Sequence, residues 1–77
     1  MDLQGLLNEL KGLNDELWDL LIKKNQEGLD ANDKTRIGQI KDEVAKTKTS
    51  LKAKGIKNSV IQKLLELADE LIKELEK

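Results

Sequence analysis

Residues 3–20 read LQGLLNELKGLNDELWDL, and the spacing of their leucines decides the fold class. Six leucines alternate between intervals of three and four residues: Leu3, Leu6, Leu10, Leu13, Leu17 and Leu20. An α-helix turns once in about 3.6 residues, so this spacing places all six on one side of a helix. Leu7 and Leu21 widen that side into a stripe typical of a helix that faces the core of a bundle.

Two glycines divide the rest of the chain. Gly28 and Gly55 stand where a helix commonly ends, because glycine adopts the left-handed conformation there without steric cost. Ile56 follows Gly55 and supplies the apolar side chain that often accompanies such an ending. The sequence therefore predicts three helices, over about residues 2–27, 31–54 and 59–76.

Short polar side chains precede the second and third helices. Asp30 or Asn32 can cap the second helix, and Asn58 or Ser59 the third, because their oxygens accept hydrogen bonds from free helical N–H groups. Ser59, with Gln62 three residues later, has the form of a capping box.

The second and third helices also carry apolar stripes. The stripe of the second is thin and consists of Ile37, Ile40, Val44 and Leu51, with Thr47 in a gap. The third has a seam of Ile61, Leu64, Ala68, Leu71 and Leu75, broadened by Val60, Leu65, Leu67 and Ile72. Short connections favour antiparallel neighbours, so we predict an all-α, antiparallel up-down-up three-helix bundle that forms a single domain over residues 1–77.

The composition of the 77 residues excludes several kinds of site. Cysteine and histidine are both absent. The chain therefore lacks disulfides, thiolate metal ligands and the commonest general base. Ser50 and Ser59 have no histidine to activate them as nucleophiles. We predict that the chain is not an enzyme and takes no cofactor, no metal and no small-molecule substrate.

The acidic residues do not change this prediction. Residues 30–34 resemble the start of a calcium loop, but Thr35 stands where that loop needs glycine and Lys41 where it needs a bidentate glutamate. The third helix offers carboxylates at helical spacing, which is typical of a solvated face: Glu66, Asp69, Glu70, Glu74 and Glu76.

Charge is divided unevenly along the chain. Residues 1–33 carry eight acids and three lysines, residues 34–58 eight bases and two acids, and residues 59–77 five acids and three lysines. A basic middle helix between two acidic ones favours the bundle pairing through complementary flanking charges. The alternative is a nucleic-acid-binding patch. We expect no nucleic-acid partner, because a single arginine and no aromatic residue accompany the lysines of this segment.

No segment predicts contact with a membrane. Leu20–Ile22 is the longest apolar run, far below the ~18–20 residues that span a bilayer. The N-terminus lacks the basic and apolar regions of a signal peptide. The basic second helix has the poorest apolar stripe, whereas an interfacial helix needs both features. A cytoplasmic location is the default expectation.

Trp18 is the sharpest candidate for a binding residue. It and Ile22 lie four residues apart, off the leucine stripe, and so are neighbours on an outer part of the first helix. Tryptophan is enriched where protein interfaces gain most of their energy. Alternatively, Trp18 packs at the edge of a neighbouring helix, or is a single exposed apolar residue of the kind that most proteins have.

In general style the chain resembles computationally designed or engineered helical bundles. The leucine heptads of residues 3–20, the regular tail of residues 60–77 and the lone Trp18 carry the resemblance. Gly5, Gly12, Gly38 and the run of residues 47–50 depart from it, because idealised designs avoid such residues inside helices. A natural bundle, or a chimera of natural helices, therefore stays open.

The sequence thus predicts a structural helical-bundle scaffold with no identifiable biochemical activity. The alternative is a protein–protein interaction module that uses Trp18 and Ile22. That module would either form a homo-oligomer or bind a helix of another protein.

Overall fold

The computed structural model describes residues 2–77, which form three α-helices. Their bounds are Leu3–Gln26 for α1, Ala31–Lys54 for α2 and Ser59–Leu75 for α3. These bounds lie within one residue of the predicted ones, and no strand occurs among the described residues. The all-α three-helix fold is confirmed. None of the described helices is long and apolar enough to cross a membrane.

Hydrogen bonds between helices fix the helix directions. The Asn14 Nδ2 donates to the Leu64 carbonyl oxygen at 3.1 Å, and the Lys24 Nζ donates to that of Glu74 at 2.8 Å. Both pairs are 50 residues apart in sequence, so α1 and α3 run parallel. On α2, Lys41 pairs with Glu76 and Lys48 pairs with Asp69. As the position on α2 advances, its partner on α3 recedes, so α2 is antiparallel to α3.

A single apolar core runs along the bundle axis. Its most deeply buried members include Leu17, Ile40 and Ile61, one from each helix. The α1 helix packs most extensively against α3, and less contact joins α2 to either neighbour. The core comprises Leu10, Leu13, Leu17, Leu20, Ile37, Ile40, Val44, Leu51, Ile61, Leu65, Ala68, Leu71, Ile72 and Leu75.

The capping residues follow the sequence prediction at α2 and, apart from the capping box, at α3. The Asp30 carboxylate accepts from the Asp33 N–H at 2.8 Å, and the Asp33 carboxylate accepts from the Asp30 N–H at 3.2 Å. Asp30, rather than Asn32, is therefore the cap of α2. The predicted capping box at Ser59 is wrong. Asn58 caps α3 instead, because its Oδ1 accepts from the N–H groups of the first helical turn.

The turn from α2 to α3 depends on one glycine. Gly55 has φ +67°, in the left-handed region that side-chain-bearing residues rarely adopt. This conformation lets the Ile56 N–H donate to the Leu51 carbonyl oxygen at 3.0 Å. Ile56 packs against the core, so the turn closes that end of the bundle as the sequence predicts.

Three predicted stripe residues neither belong to the core nor pack against it. Leu3, Val60 and Leu67 are exposed, although the sequence placed Leu3 in the seam of α1 and the other two at the margin of the α3 stripe. Successive residues of a helix are rotated by about 100°. Val60 is therefore about 100° from the buried Ile61, and Leu67 about 100° from the buried Ala68. The α3 stripe is wider than two neighbouring helices can cover.

Two helical glycines, Gly12 and Gly38, allow the helical backbone conformation at their positions to be tested. A Cβ atom added at Gly12 or Gly38 would meet no atom within 4 Å. Each replacement by alanine should raise the free energy of unfolding by about 0.5–1 kcal/mol, because alanine loses less conformational entropy on folding. Urea denaturation of Gly12→Ala and Gly38→Ala measures this.

The matched control is Gly55→Ala, which adds the same methyl group at a positive φ. It should lower the free energy of unfolding by about 1–2 kcal/mol. Equal effects at all three positions would show that the helical geometry assigned to Gly12 and Gly38 is wrong.

Candidate functional site

Trp18 lies on the surface of α1 and is partly covered. Its side chain is 47% exposed and that of Ile22, one turn further on, is 50% exposed. Neither belongs to the core. The structure thus places Trp18 neither in the core nor fully in solvent, beside a second exposed apolar residue.

Two residues of α3 continue the same surface. Trp18 lies one turn after Asn14, whose amide binds the Leu64 carbonyl of α3. Leu67 lies one turn after Leu64. Residues three or four apart are neighbours on a helix, so Trp18 and Leu67 border the same line of contact between α1 and α3, at about the same height. Val60 lies two turns before Leu67 on the same side of α3.

This surface faces away from α2. Glu16 of α1 and Asp69 of α3 both bind α2. Trp18 is two residues from Glu16, and Leu67 is two residues from Asp69, which is a rotation of about 200° around each helix. We call the surface formed by Trp18, Ile22, Val60 and Leu67 the α1/α3 outer face.

Sequence reasoning found half of this face. It selected Trp18 and Ile22, and it placed Val60 and Leu67 at the margin of the α3 stripe. The signal that could have found the second pair is the width of the α3 stripe. Leu64, Leu65 and their neighbours at helical spacing already supply enough apolar residues to face both α1 and α2.

The opposite side of the α1/α3 pair is closed by α2 through ion pairs. The Arg36 guanidinium donates two hydrogen bonds to the Glu16 carboxylate, one of them 3.0 Å from Nη2 to Oε1. These bonds hold the pKa of Glu16 below its ordinary value, while desolvation acts in the opposite direction. The pair joins α1 to α2.

Two lysines join α2 to α3. The Lys41 Nζ is 3.1 Å from a carboxylate oxygen of Glu76, and Lys48 pairs with Asp69. Each pair sets a base of α2 against an acid of the neighbouring helix. The charge complementarity that the sequence predicted between the basic helix and its acidic neighbours is therefore present as specific contacts.

A fourth ionic contact fixes the turn between α1 and α2. The Lys23 Nζ is 2.7 Å from the Asp33 carboxylate. The hydrogen bond from Lys23 lowers the pKa of Asp33, as does the bond that Asp33 accepts from the Asp30 N–H. The cap of α2 is thus tied to the last turn of α1.

Concave regions also occur away from the α1/α3 outer face. A cleft of about 300 Å³ lies beside the α2–α3 turn and is lined in part by Leu51, Ile61, Leu65, Lys48 and Lys52. Its apolar lining residues belong to the core, so the cleft is a gap in helix packing beside the turn. Residues 2–77 contain no group of three acidic side chains that could hold a metal ion.

Comparison with known proteins finds no family model, no curated relative and no solved structure that matches the chain.

Reversal of paired lysines tests the contribution of charge to helix packing. Lys41→Glu together with Lys48→Glu should lower Tm by about 4–8 °C at low salt. The loss should be much smaller at about 1 M salt, because salt screens the new repulsion toward Glu76 and Asp69. Thermal denaturation followed by circular dichroism measures both values.

The matched control reverses Lys46 and Lys52, which are exposed and form no ion pair within residues 2–77. This double variant should lose less stability at low salt. If the two double variants lost the same amount, the specific pairs would contribute nothing beyond net charge.

The lowered pKa of Glu16 predicts that part of the fold's stability is lost in acid. Because its folded-state pKa is lowered, the ion pair with Arg36 stabilises the fold above the ordinary glutamate pKa. That stabilisation is lost as pH falls through the folded-state value. Glu16→Gln should therefore be less stable than the parent at neutral pH, and the difference should disappear in acid, once pH is below the folded-state pKa of Glu16.

Asp19→Asn serves as the control, because Asp19 forms no ion pair within residues 2–77. Its stability relative to the parent should change little between the two pH values. Urea denaturation at each pH gives the comparison, and a gap that stayed constant for Glu16→Gln would contradict the prediction.

Proposed function

We propose that the chain is a small helical scaffold whose α1/α3 outer face binds another protein. The observation that carries this proposal is the half-exposed Trp18 within a group of exposed apolar side chains on one face. Tryptophan supplies a large contact area with few rotatable bonds, and so contributes strongly when an interface buries it. An exposed group of such residues is characteristic of interaction sites.

The distribution of exposed apolar residues supports the proposal. Within residues 2–77, every large hydrophobic side chain that is exposed lies on α1 or α3, and none lies on α2. The α2 surface is polar and charged instead. An interaction surface confined to the α1/α3 pair accounts for this asymmetry better than scattered exposed residues would.

We also propose that the chain is not an enzyme. Support comes from the absence of histidine and cysteine in the sequence. The carboxylates of Glu66 and Glu70 are exposed, whereas a general acid needs a desolvated position that raises its pKa.

Selection from a displayed library of helical peptides tests the binding proposal and needs no named partner. We expect the folded protein to select peptides whose affinity falls about 30-fold or more when Trp18 and Leu67 are both replaced by alanine. The double variant should keep its helical circular dichroism, because both side chains are partly exposed.

The control variant replaces Gln39 and Lys46, two exposed residues of α2, by alanine. It should bind the selected peptides as the parent does. If no peptide were selected above background, or if the peptides bound the Trp18/Leu67 variant equally well, the outer face would not be the binding site. The chain would then be a scaffold whose only property is its fold, as a designed bundle can be.

A further inference from the structure

The two sides of the α1/α3 pair have similar chemistry. On the side that α2 occupies, apolar side chains of α1 and α3 are bordered by acids. Those acids are Glu16, Asp69 and Glu76, and α2 supplies a base to each of them. A basic helix with an apolar stripe thus fills the groove between two parallel acidic helices.

The outer face repeats the pattern without a helix in place. Asp15 lies three residues before Trp18, and Asp19 lies three residues before Ile22, so each acid borders an exposed apolar side chain. On α3, Glu70 lies three residues after Leu67. Asp15, Asp19 and Glu70 form no ion pair within residues 2–77.

The local charge around Trp18, Ile22 and Leu67 is negative. The helical neighbours of Trp18, Ile22 and Leu67 at three and four positions include these three acids and one base, Lys63. An occupant that buried the apolar residues would bring its own flanking side chains next to the acids. Bases at those positions would be attracted, and acids would be repelled.

We propose that the α1/α3 outer face binds a basic amphipathic helix of a different protein, in the manner in which α2 occupies the opposite groove. The proposal rests on the proposed function and names the chemistry of its partner. The resulting contact is a helix laid along a groove, anchored by residues spaced like those of α2.

A second copy of the chain fits this face poorly. In a symmetric dimer the same patch meets itself, so Asp15, Asp19 and Glu70 would face a second set of acids. The basic helix α2 of an intact second copy would supply bases but could not cover the apolar residues of the face. Within the described residues, α2 exposes no large apolar side chain. The occupant therefore combines two features that the folded chain does not expose together.

The dimensions of the face set the length of the helix. Val60 of α3 lies at about the height of Leu10 of α1, given the separation of 50 residues that relates the two helices. From that height to Ile22 is twelve residues, or about 18 Å along the axis. A helix of about twelve to sixteen residues, with apolar side chains on one side over three to four turns, spans it.

Two synthetic peptides of about sixteen residues test the proposal. Both lack tryptophan and carry the same leucine stripe, one flanked by lysines and the other by glutamates. Trp18 is the protein's sole tryptophan, so its emission reports burial of the face. The lysine peptide should shift the emission to shorter wavelength in a saturable manner and bind about tenfold more tightly at low salt than the glutamate peptide.

Charge reversal locates the preference. Asp15→Lys, Asp19→Lys and Glu70→Lys together should weaken binding of the lysine peptide and strengthen binding of the glutamate peptide. The matched control places lysine at Glu9, Asp42 and Glu43, so its net charge changes equally. Glu9 is nine residues, or about 180° of rotation, from Trp18, and the other two are exposed on α2. This control should keep the preference for the lysine peptide.

Three results would overturn the inference. Equal binding of the two peptides would remove the charge preference while leaving the outer face as a docking site. Failure of both to shift Trp18 emission would exclude an amphipathic helix as occupant, and the library selection would separately decide whether the face binds anything. A dimer in sedimentation that Trp18→Ala abolished would identify a second copy as the occupant.

Discussion

The parallel packing of α1 against α3 is the contact on which the rest of the structure depends. These two helices contribute ten of the fourteen core side chains, and they have the most extensive contact. Asn14 sets their relative height through its bond to the Leu64 carbonyl, with its Oδ1 unpaired among the described groups. A buried polar residue of this kind contributes little net stability, but it disfavours other alignments of the leucine stripes.

The remaining helix, α2, is held in a different way. The α2 stripe is thin, and the helix compensates with contacts around its margins: Arg36 to Glu16, Lys41 to Glu76 and Lys48 to Asp69. Exposed ion pairs contribute about 0–1 kcal/mol each, so their chief effect is to select which groove α2 occupies and in which direction it runs. Occupation of one groove leaves the other, with Trp18, open to solvent.

Much of the fold could be predicted from the sequence because its signals are local. The leucine spacing, Gly28 and Gly55 set the helices to within one residue, since helical period and left-handed glycine endings depend on a few neighbours. For the cap of α3 the sequence left two candidates. Asn58 and Ser59 are adjacent and both can cap, and only the structure shows that the Asn58 Oδ1 accepts from the N–H groups of the first turn.

The sequence by itself determined the fold class, the helix bounds and the position of Trp18 and Ile22 beside the leucine stripe. It also indicated the charge complementarity between α2 and its neighbours. Only the tertiary structure decided which apolar residues stay exposed, and so brought Val60 and Leu67 to the same face as Trp18. The physical reason is that helical periodicity specifies directions around one helix, whereas burial depends on where the neighbouring helices lie. Two neighbours cannot cover a stripe as wide as that of α3.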